Sequence, residues 1–259
     1  MLMEQTLFGV ADKVQIAINR IRQFEPPEGY YVAFSGGKDS CVVLDLVKKS
    51  GVKYDAHYRH VGFDPPELVR FIKCEHHDVQ IDLPKQSQWS RMAKTGPATR
   101  MMRWCCDHKE SGGKGRVVVT GVRHEESARR AQRKVVEQCY RDNSKRYLNP
   151  IIDWTIKDVW QYIHGNNIPY CSLYDEGWKR LGCIMCPLAN REQREKEARR
   201  WPKYAFVYKK MCERAFERKK SLGHKMPTQW RSGEDMYEWW LSGKAPERPN
   251  VDQTVFFFD

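Results

Sequence analysis

Nowhere in this chain do apolar residues run on for the roughly 20 positions that a membrane-crossing helix needs, so no such helix is expected. The start, MLMEQTLFGVADK, is acidic before it is basic and lacks a small-residue cleavage site, which argues against a secretory signal peptide. There is no internal repeat, which excludes a solenoid. Acidic residues are the minority, 33 Asp+Glu against 45 Lys+Arg, for a net charge of +12. With 41% hydrophobic residues the composition is nevertheless globular rather than disordered. The length of 259 residues allows one large domain or a domain with an appended lobe.

Cysteine is not scarce. There are nine, an odd number, and without a secretory signal a disulfide framework is not expected. Clustered thiols in a reducing, cytoplasmic setting read instead as metal or redox sites. Two clusters stand out, Cys105-Cys106 and Cys183-Ile184-Met185-Cys186. The positive charge is equally uneven. Residues 187–225 hold 13 Lys/Arg against 5 Asp/Glu, and residues 123–146 hold 8 against 4. Two concentrated basic blocks suggest polyanion contacts. In the first, however, REQREKEARR interleaves Glu with Arg as a solvated helix face does.

Apolar positions Leu7, Val10, Ala11, Val14, Ile18, Ile21 and Phe24 fall at helical spacing, predicting an amphipathic helix over 5–24. Tyr30–Phe34 reads as a strand, and further strands are expected over 52–58, 78–83 and 116–122. Helices are expected over 67–74 and 153–164, and again beyond Pro187. Strands alternating with helices predict an α/β fold with a mainly parallel sheet. A nucleotide-binding α/β domain over 1–190 and a basic, mainly helical extension over 191–259, its last fifteen residues a tail, complete the expected organisation.

Between the first of these strands and the helix CVVLDLVKK lies Ser35-Gly36-Gly37-Lys38-Asp39-Ser40. Small residues at such a turn let backbone N–H groups converge on an anion, and the following helix start adds its positive end. The longer Walker spacing is absent. A tight turn in which glycine merely relieves sterics is the alternative.

This hexapeptide resembles the pyrophosphate loop of the N-type ATP pyrophosphatases. Other segments narrow the likeness: His60-Val-Gly-Phe-Asp-Pro-Pro-Glu67, Thr120-Gly-Val-Arg123 through Ser127 to Arg130, Asn149-Pro150, and Leu173-Tyr174-Asp175-Glu176-Gly177. In this order over about 28–190 they resemble the phosphoadenylyl-sulfate reductase family. The resemblance implies an adenine-nucleotide α-hydrolase-like fold, with Ser35, Gly36, Gly37, Asp39 and Ser40 around the phosphates or sulfate. It also implies Gly62 and Gly121 beside the adenosine and Arg123 and Arg130 on the substrate's anions, the latter suited to the planar fork of arginine. Lys38, Asp39 and Arg123 are the candidate catalytic groups, and magnesium would accompany a nucleotide triphosphate.

Cys105, Cys106, Cys183 and Cys186 supply two pairs of thiolates, enough to close a tetrahedral zinc or a [4Fe–4S] cluster. The adjacent pair is unusual for zinc, and the layout resembles the iron–sulfur branch of these reductases, the adenylyl-sulfate reductases. That implies a [4Fe–4S] cluster, with structural zinc the alternative and Lys109 as a nearby cation. One family element is missing. The reductases carry a nucleophilic cysteine in a C-terminal Glu-Cys-Gly-Leu-His, whereas the last cysteine here is Cys212 in KKMCERAF. Cys212 on a basic helix is expected to stand in for it only if its pKa is depressed.

The reading that follows is an ATP pyrophosphatase that adenylates a substrate for sulfur transfer. The candidate acceptor is a nucleic acid, tRNA or DNA, and a sulfur-donor protein is a candidate partner. Trp201, Tyr204, Trp230, Trp239 and Trp240 are candidate base-stacking platforms. A divergent reductase acting on adenylyl sulfate and a non-catalytic nucleotide-binding subunit of a larger complex are the alternatives. A homo-oligomer is compatible with either.

Overall fold

The computed structural model describes residues 2–6 and 9–243. The expected tail therefore lies outside the described residues, as does Leu7 of the expected first helix. In chain order the main elements are β1 (Met3–Thr6), β2 (Gly9–Asp12), α1 (Lys13–Gln23), β3 (Tyr30–Phe34), α2 (Lys38–Ser50), β4 (Tyr54–Arg59), α3 (Pro66–Glu75) and β5 (Val79–Asp82). Then come α4 (Gln88–Thr95), β6 (Val117–Val119), β7 (Val136–Gln138), β8 (Arg146–Leu148), α5 (Ile156–Gly165), α6 (Arg191–Arg200), α7 (Pro202–Ser221) and α8 (Gly233–Ser242). Among the described residues they form two compact units, one of 2–60, 64–84 and 108–182, the other of 61–63, 85–107 and 183–243. The division expected at residue 190 runs differently here, because 85–107 and the second cysteine pair join the C-terminal helices.

The first unit is built on a six-stranded sheet of order β5-β4-β3-β6-β8-β7, parallel except for the β7–β8 pair. Tyr30, Tyr31, Val32 and Phe34 of the central β3 are all buried, as an unbroken apolar run in a two-sided parallel sheet requires. Helix α2 is buried along most of its length through Cys41, Val42, Val43, Leu44, Leu46 and Val47, with α1 packed on it through Ala17, Ile18 and Ile21. From β3 the chain moves one way, to β4 and β5. From β6 it moves the other way, to β8 and β7. The crevice at the strands' carboxyl ends where the order reverses is where open α/β sheets bind ligands, and it lies between the loops after β3 and β6.

Two local departures from the expected elements have physical causes. The helix over 5–24 begins only at Lys13, since the Asp12 carboxylate accepts the N–H groups of Val14 (2.9 Å) and Gln15 (3.4 Å) and so caps the first turn. Residues ahead of it pair instead as a hairpin, Met3 opposite Asp12 and Thr6 opposite Gly9. Strands β7 and β8, only three residues each and reading VEQ and RYL, carry too little apolar pattern to be seen in sequence.

In the second unit α7 buries Tyr208, Met211, Cys212, Ala215 and Phe216 and packs against α4 and α8. Tyr208 is the hub of its aromatic core, stacked on Trp240 at 4.8 Å and 14° and meeting Trp89 edge-on at 5.0 Å. Trp201 and Trp240 are core residues, and Trp230 and Trp239 close on each other at 4.9 Å. Trp201 and Trp240 therefore serve packing rather than an open stacking platform, while Trp230 and Trp239 are half-buried. No helix among the described residues is long and apolar enough to cross a membrane.

Replacing Asp12 with Ala removes the α1 cap and is expected to lower stability by about 1 kcal/mol in urea denaturation, while Asp12→Asn retains most of it. An unchanged Asp12→Ala midpoint would contradict the capped start.

Candidate functional site

Gly36 opens the loop after β3 in a left-handed conformation, φ +71°, and a Cβ there would lie 2.7 Å from side-chain carbons of Leu68 and Ile72. Only glycine fits. The rest of the loop is tied by its own hydroxyls. Ser35 Oγ donates to Ser40 Oγ at 3.1 Å, Ser40 Oγ donates to the Gly37 carbonyl at 2.7 Å, and the Gly37 N–H donates to Ser35 Oγ at 3.4 Å. The Lys38 N–H donates to the Tyr174 hydroxyl at 2.9 Å. Burial, partly offset by this bond, pushes the Tyr174 phenol well above its usual range. The Lys38 side chain is buried, with Nζ 3.3 Å from the Lys179 carbonyl and 3.4 Å from Asp39.

From the other side of the crevice comes the segment after β6. A Cβ on Gly121 would lie 2.9 Å from the Asp39 backbone carbon and oxygen, so glycine permits that close approach. Arg123 is 3% exposed. Its Nε donates to Asp39 at 2.6 Å, and its Nη1 donates to Glu125 at 2.9 Å and to the Trp154 carbonyl at 3.2 Å. Burial alone would lower its pKa, but Asp39 and Glu125 more than offset it and the net shift is upward. The donors of Arg123 are thus turned to protein carboxylates, and the cations facing the opening are Arg130 and Arg180. Arg130 pairs with Glu126, and Arg180 lies 3.9 Å from the same carboxylate.

These groups line a polar cavity of about 250 Å³ in which Ser35, Lys38, Asp39, Ser40, Gly121 and Arg130 come together with Tyr174 and Arg180. A second, more apolar cavity of about 240 Å³ shares Ala33, Ser35 and Thr120 with it and extends between Phe34, Tyr58, Val118 and Tyr147. Gly36 shapes the loop from behind, and Gly62 belongs to the other unit, where its φ of +80° places it beside Trp89. Arg180 was not legible as a site residue, since it follows Lys179 in an unpatterned stretch. Asp39 is bound to both Arg123 and Lys38, so its carboxylate is engaged within the protein.

At the rim of the apolar cavity Lys109 donates to Asp64 at 2.7 Å, and His60 Nδ1 lies 3.3 Å from the same carboxylate. Burial alone would raise the Asp64 pKa. Lys109 and His60 overcome it and hold the carboxyl well below the usual carboxylate range.

The four cysteines of the expected centre all fall in the second unit. Cys105 is buried and the other three half-buried. A hydrogen bond with Cys106, then burial, then the nearby sulfurs of Cys183 and Cys186 push the Cys105 thiol far up. Four thiols within electrostatic reach of one another match the chemistry of a tetrathiolate centre, although no group of three or more His, Cys, Asp or Glu among the described residues is arranged to hold a metal ion. The Cys183–Cys186 turn is held from the helices behind it. Met185, at φ +54°, donates its N–H to Glu197 at 2.5 Å, and the Tyr208 hydroxyl donates to the Ile184 carbonyl at 3.2 Å. Cys212, by contrast, is fully buried and its thiol is pushed well up, by burial first and by Glu213 second. It lacks both the exposure and the thiolate character of a nucleophile.

A glycine loop and an arginine-bearing segment meeting at the switch point of a parallel sheet define a nucleotide-binding α/β protein. Residues 29–189 match the phosphoadenosine phosphosulfate reductase domain, and the chain belongs to that family, a nucleotide-binding family of enzymes in sulfur metabolism. It is 28% identical over 182 residues to the adenosine 5'-phosphosulfate reductase of Oceanobacillus iheyensis, covering 65% of this chain and 75% of that protein. It is 30% identical over 188 residues to an uncharacterized protein of Methanocaldococcus jannaschii, covering 66% of this chain. The chain spans about two fifths of that relative's length, 39%. The phosphoadenylyl-sulfate reductase of Candida auris, solved as a phosphate complex, shares the fold, with a TM-score of 0.50 at 20% identity over 66% of this chain and 89% of that one.

Asp64 supplies a pH signature. A carboxyl with a depressed folded pKa stabilises the fold fully above its unfolded value, about 4, and the contribution drains away as pH falls below it. Wild type is therefore expected to lose stability in urea denaturation as pH drops from about 5 to about 3. Asp64→Asn is expected to be less stable at neutral pH and to lose less on acidification. Parallel acid limbs would contradict the assignment.

Proposed function

We propose that this chain cleaves ATP between its α and β phosphates, passes the adenylyl group to an acceptor oxygen, and lets a sulfur nucleophile take that oxygen's place. The observation that carries the reading is the polar cavity, where the loop hydroxyls and Lys38, Arg130 and Arg180 converge on a space of about 250 Å³ suited to pyrophosphate. The adjoining apolar cavity, walled by Phe34, Tyr58, Val118 and Tyr147, suits a purine ring.

The acceptor's carbonyl-type oxygen attacks the α-phosphorus. The bond from that phosphorus to the bridging oxygen breaks, and pyrophosphate leaves with the electron pair. The Lys38 ammonium and the N–H groups of Asp39 and Ser40 in the first turn of α2 meet the charge that develops on it. Asp39 and Arg123 do not touch the reacting atoms in this scheme. Their ion pair holds the loop against the segment after β6, so both are positioning residues. A hydrosulfide-level donor then adds to the activated carbon, AMP leaves with its oxygen and electron pair, and the sulfur's proton passes to solvent.

Cys105, Cys106, Cys183 and Cys186 are the residues that would hold a [4Fe–4S] cluster, which when bound supplies a soft Lewis-acidic iron for a sulfur ligand; zinc would be held by the same thiols. A nucleic-acid acceptor is supported by the exposed side of α7, where Lys203, Lys210, Arg214 and Arg218 follow one another at helical spacing. Its binding would weaken steeply with salt. The second reading, a reductase of adenylyl sulfate, is favoured by the likeness to the Oceanobacillus enzyme. The buried Cys212 means that it would need a nucleophilic thiol from elsewhere.

Incubation with ATP and candidate acceptors is expected to release pyrophosphate and AMP. Sulfite from adenylyl sulfate, with no pyrophosphate from ATP, would replace this reading with the reductase. Lys38→Met is expected to weaken pyrophosphate binding in calorimetry by about tenfold or more, the effect of removing a charge-assisted hydrogen bond. Protein purified without oxygen is expected to be brown with about four irons per chain, and a colourless protein with one zinc would assign the thiols to zinc.

A further inference from the structure

Helix α6 carries a guanidinium that the nucleotide chemistry leaves unused. Arg194 is 2% exposed, and its hydrogen bonds all end on carbonyl oxygens. Nε and Nη2 donate to Ala189 at 3.1 and 3.0 Å, Nη2 reaches Pro187 at 3.4 Å, and Nη1 donates to Trp240. The guanidinium also lies 5.5 Å from the Trp240 ring centroid. No carboxylate is among these partners. A cation taken out of water is costly unless an opposite charge accompanies it, so buried arginines normally sit against one.

The nearby charges narrow what that partner is. Burial first, and then the like charge of Arg100, lower the Arg194 pKa, while Cys186, Glu197 and Tyr208 act in the other direction, the last a phenol whose own pKa burial pushes well up. Glu197 is a poor counter-charge. It already accepts the Met185 N–H at 2.5 Å and the Gln193 amide at 2.8 Å, and burial pushes its own pKa up. The remaining candidate is the sulfur of Cys186. Three of the carbonyl bonds of Arg194 fall on Pro187 and Ala189, the chain leaving that cysteine, and the Ala189 N–H returns to the Cys186 carbonyl at 2.9 Å.

We propose that Arg194 is the buried counter-cation of the four-thiol centre, a positioning residue that balances the thiolates' charge and fixes the chain leaving Cys186. This rests on the reading that Cys105, Cys106, Cys183 and Cys186 hold a metal. Four thiolates outnumber the charge of a divalent zinc ion, and a thiolate-bound cluster is likewise anionic, so either occupant presents the negative charge that Arg194 lacks. Part of the basic block over 187–225 then serves the cysteine centre from inside the fold rather than a polyanion outside it.

The test uses the full chain purified without oxygen, as wild type, Arg194→Lys, Arg194→Gln and Arg194→Met. Iron, acid-labile sulfide and zinc are quantified, and the loss of metal to a chelator is followed by absorbance, with folding checked by circular dichroism. Arg194→Gln is expected to lose metal at least about tenfold faster than wild type, the usual scale for residues that support metal ligands. Arg194→Lys, which keeps the charge, is expected to restore most of the retention. Arg194→Met, neutral and of similar length, gives the same comparison if Arg194→Gln does not fold. Retention by the neutral variants, or equal loss in the lysine and neutral variants, would overturn the proposal while leaving the metal reading intact. Wild type devoid of iron and zinc would overturn the metal reading itself, and the role of Arg194 with it.

Discussion

The ion pair between the buried Arg123 and the half-buried Asp39, 2.6 Å from nitrogen to oxygen, joins the two halves of the crevice on which the rest of the candidate site depends. Asp39 starts the helix after the central strand, and Arg123 follows the neighbouring strand that leads the other way. Removing Asp39 would leave the buried Arg123 guanidinium with Glu125 as its remaining carboxylate partner, which is destabilising. The pair therefore fixes the distance between loop and segment. Gly121 permits the approach, since any side chain there would strike the Asp39 backbone. The cavity beyond them is what remains once the two segments are held at that spacing.

A comparable constraint organises the second unit. The Cys183–Cys186 turn is short and carries a residue in the left-handed region, so it needs support from outside itself. Glu197, Tyr208 and Arg194 provide it from α6 and α7, each through a backbone group at or just beyond the turn. The charged C-terminal helices thus carry an inner face of precise polar contacts and an outer face that is solvated, and composition alone reports only their sum.

The elements that build the candidate site were legible in the sequence. The order strand, Ser35–Ser40, helix placed the loop, and the resemblance named the Thr120–Arg130 segment, which the fold sets across the crevice from it. Cys105-Cys106 and Cys183–Cys186, two clusters far apart in the chain, fall in one unit. The roles were less legible. The resemblance implies that Arg123 meets the substrate's anions, but Asp39 and Glu125 take its donors. Cys212 lies in a basic segment, which suggests a lowered pKa, whereas burial has the opposite effect. The helical spacing over 5–24 concealed a hairpin, because the capping strength of Asp12 is not part of apolar periodicity.

By itself the sequence determined the α/β architecture, the glycine turn after the central strand and the family, since these rest on local pattern and on short motifs in a fixed order. The tertiary structure decided which charged groups face an open cavity and which face one another. Lys38, Arg123 and Arg194 are all cations near a candidate site, yet one lines a cavity, one is locked to a carboxylate and one lies buried among carbonyls. Burial and partner, which set the chemistry of an ionisable side chain, arise from segments far apart in the chain and exist only once it is folded.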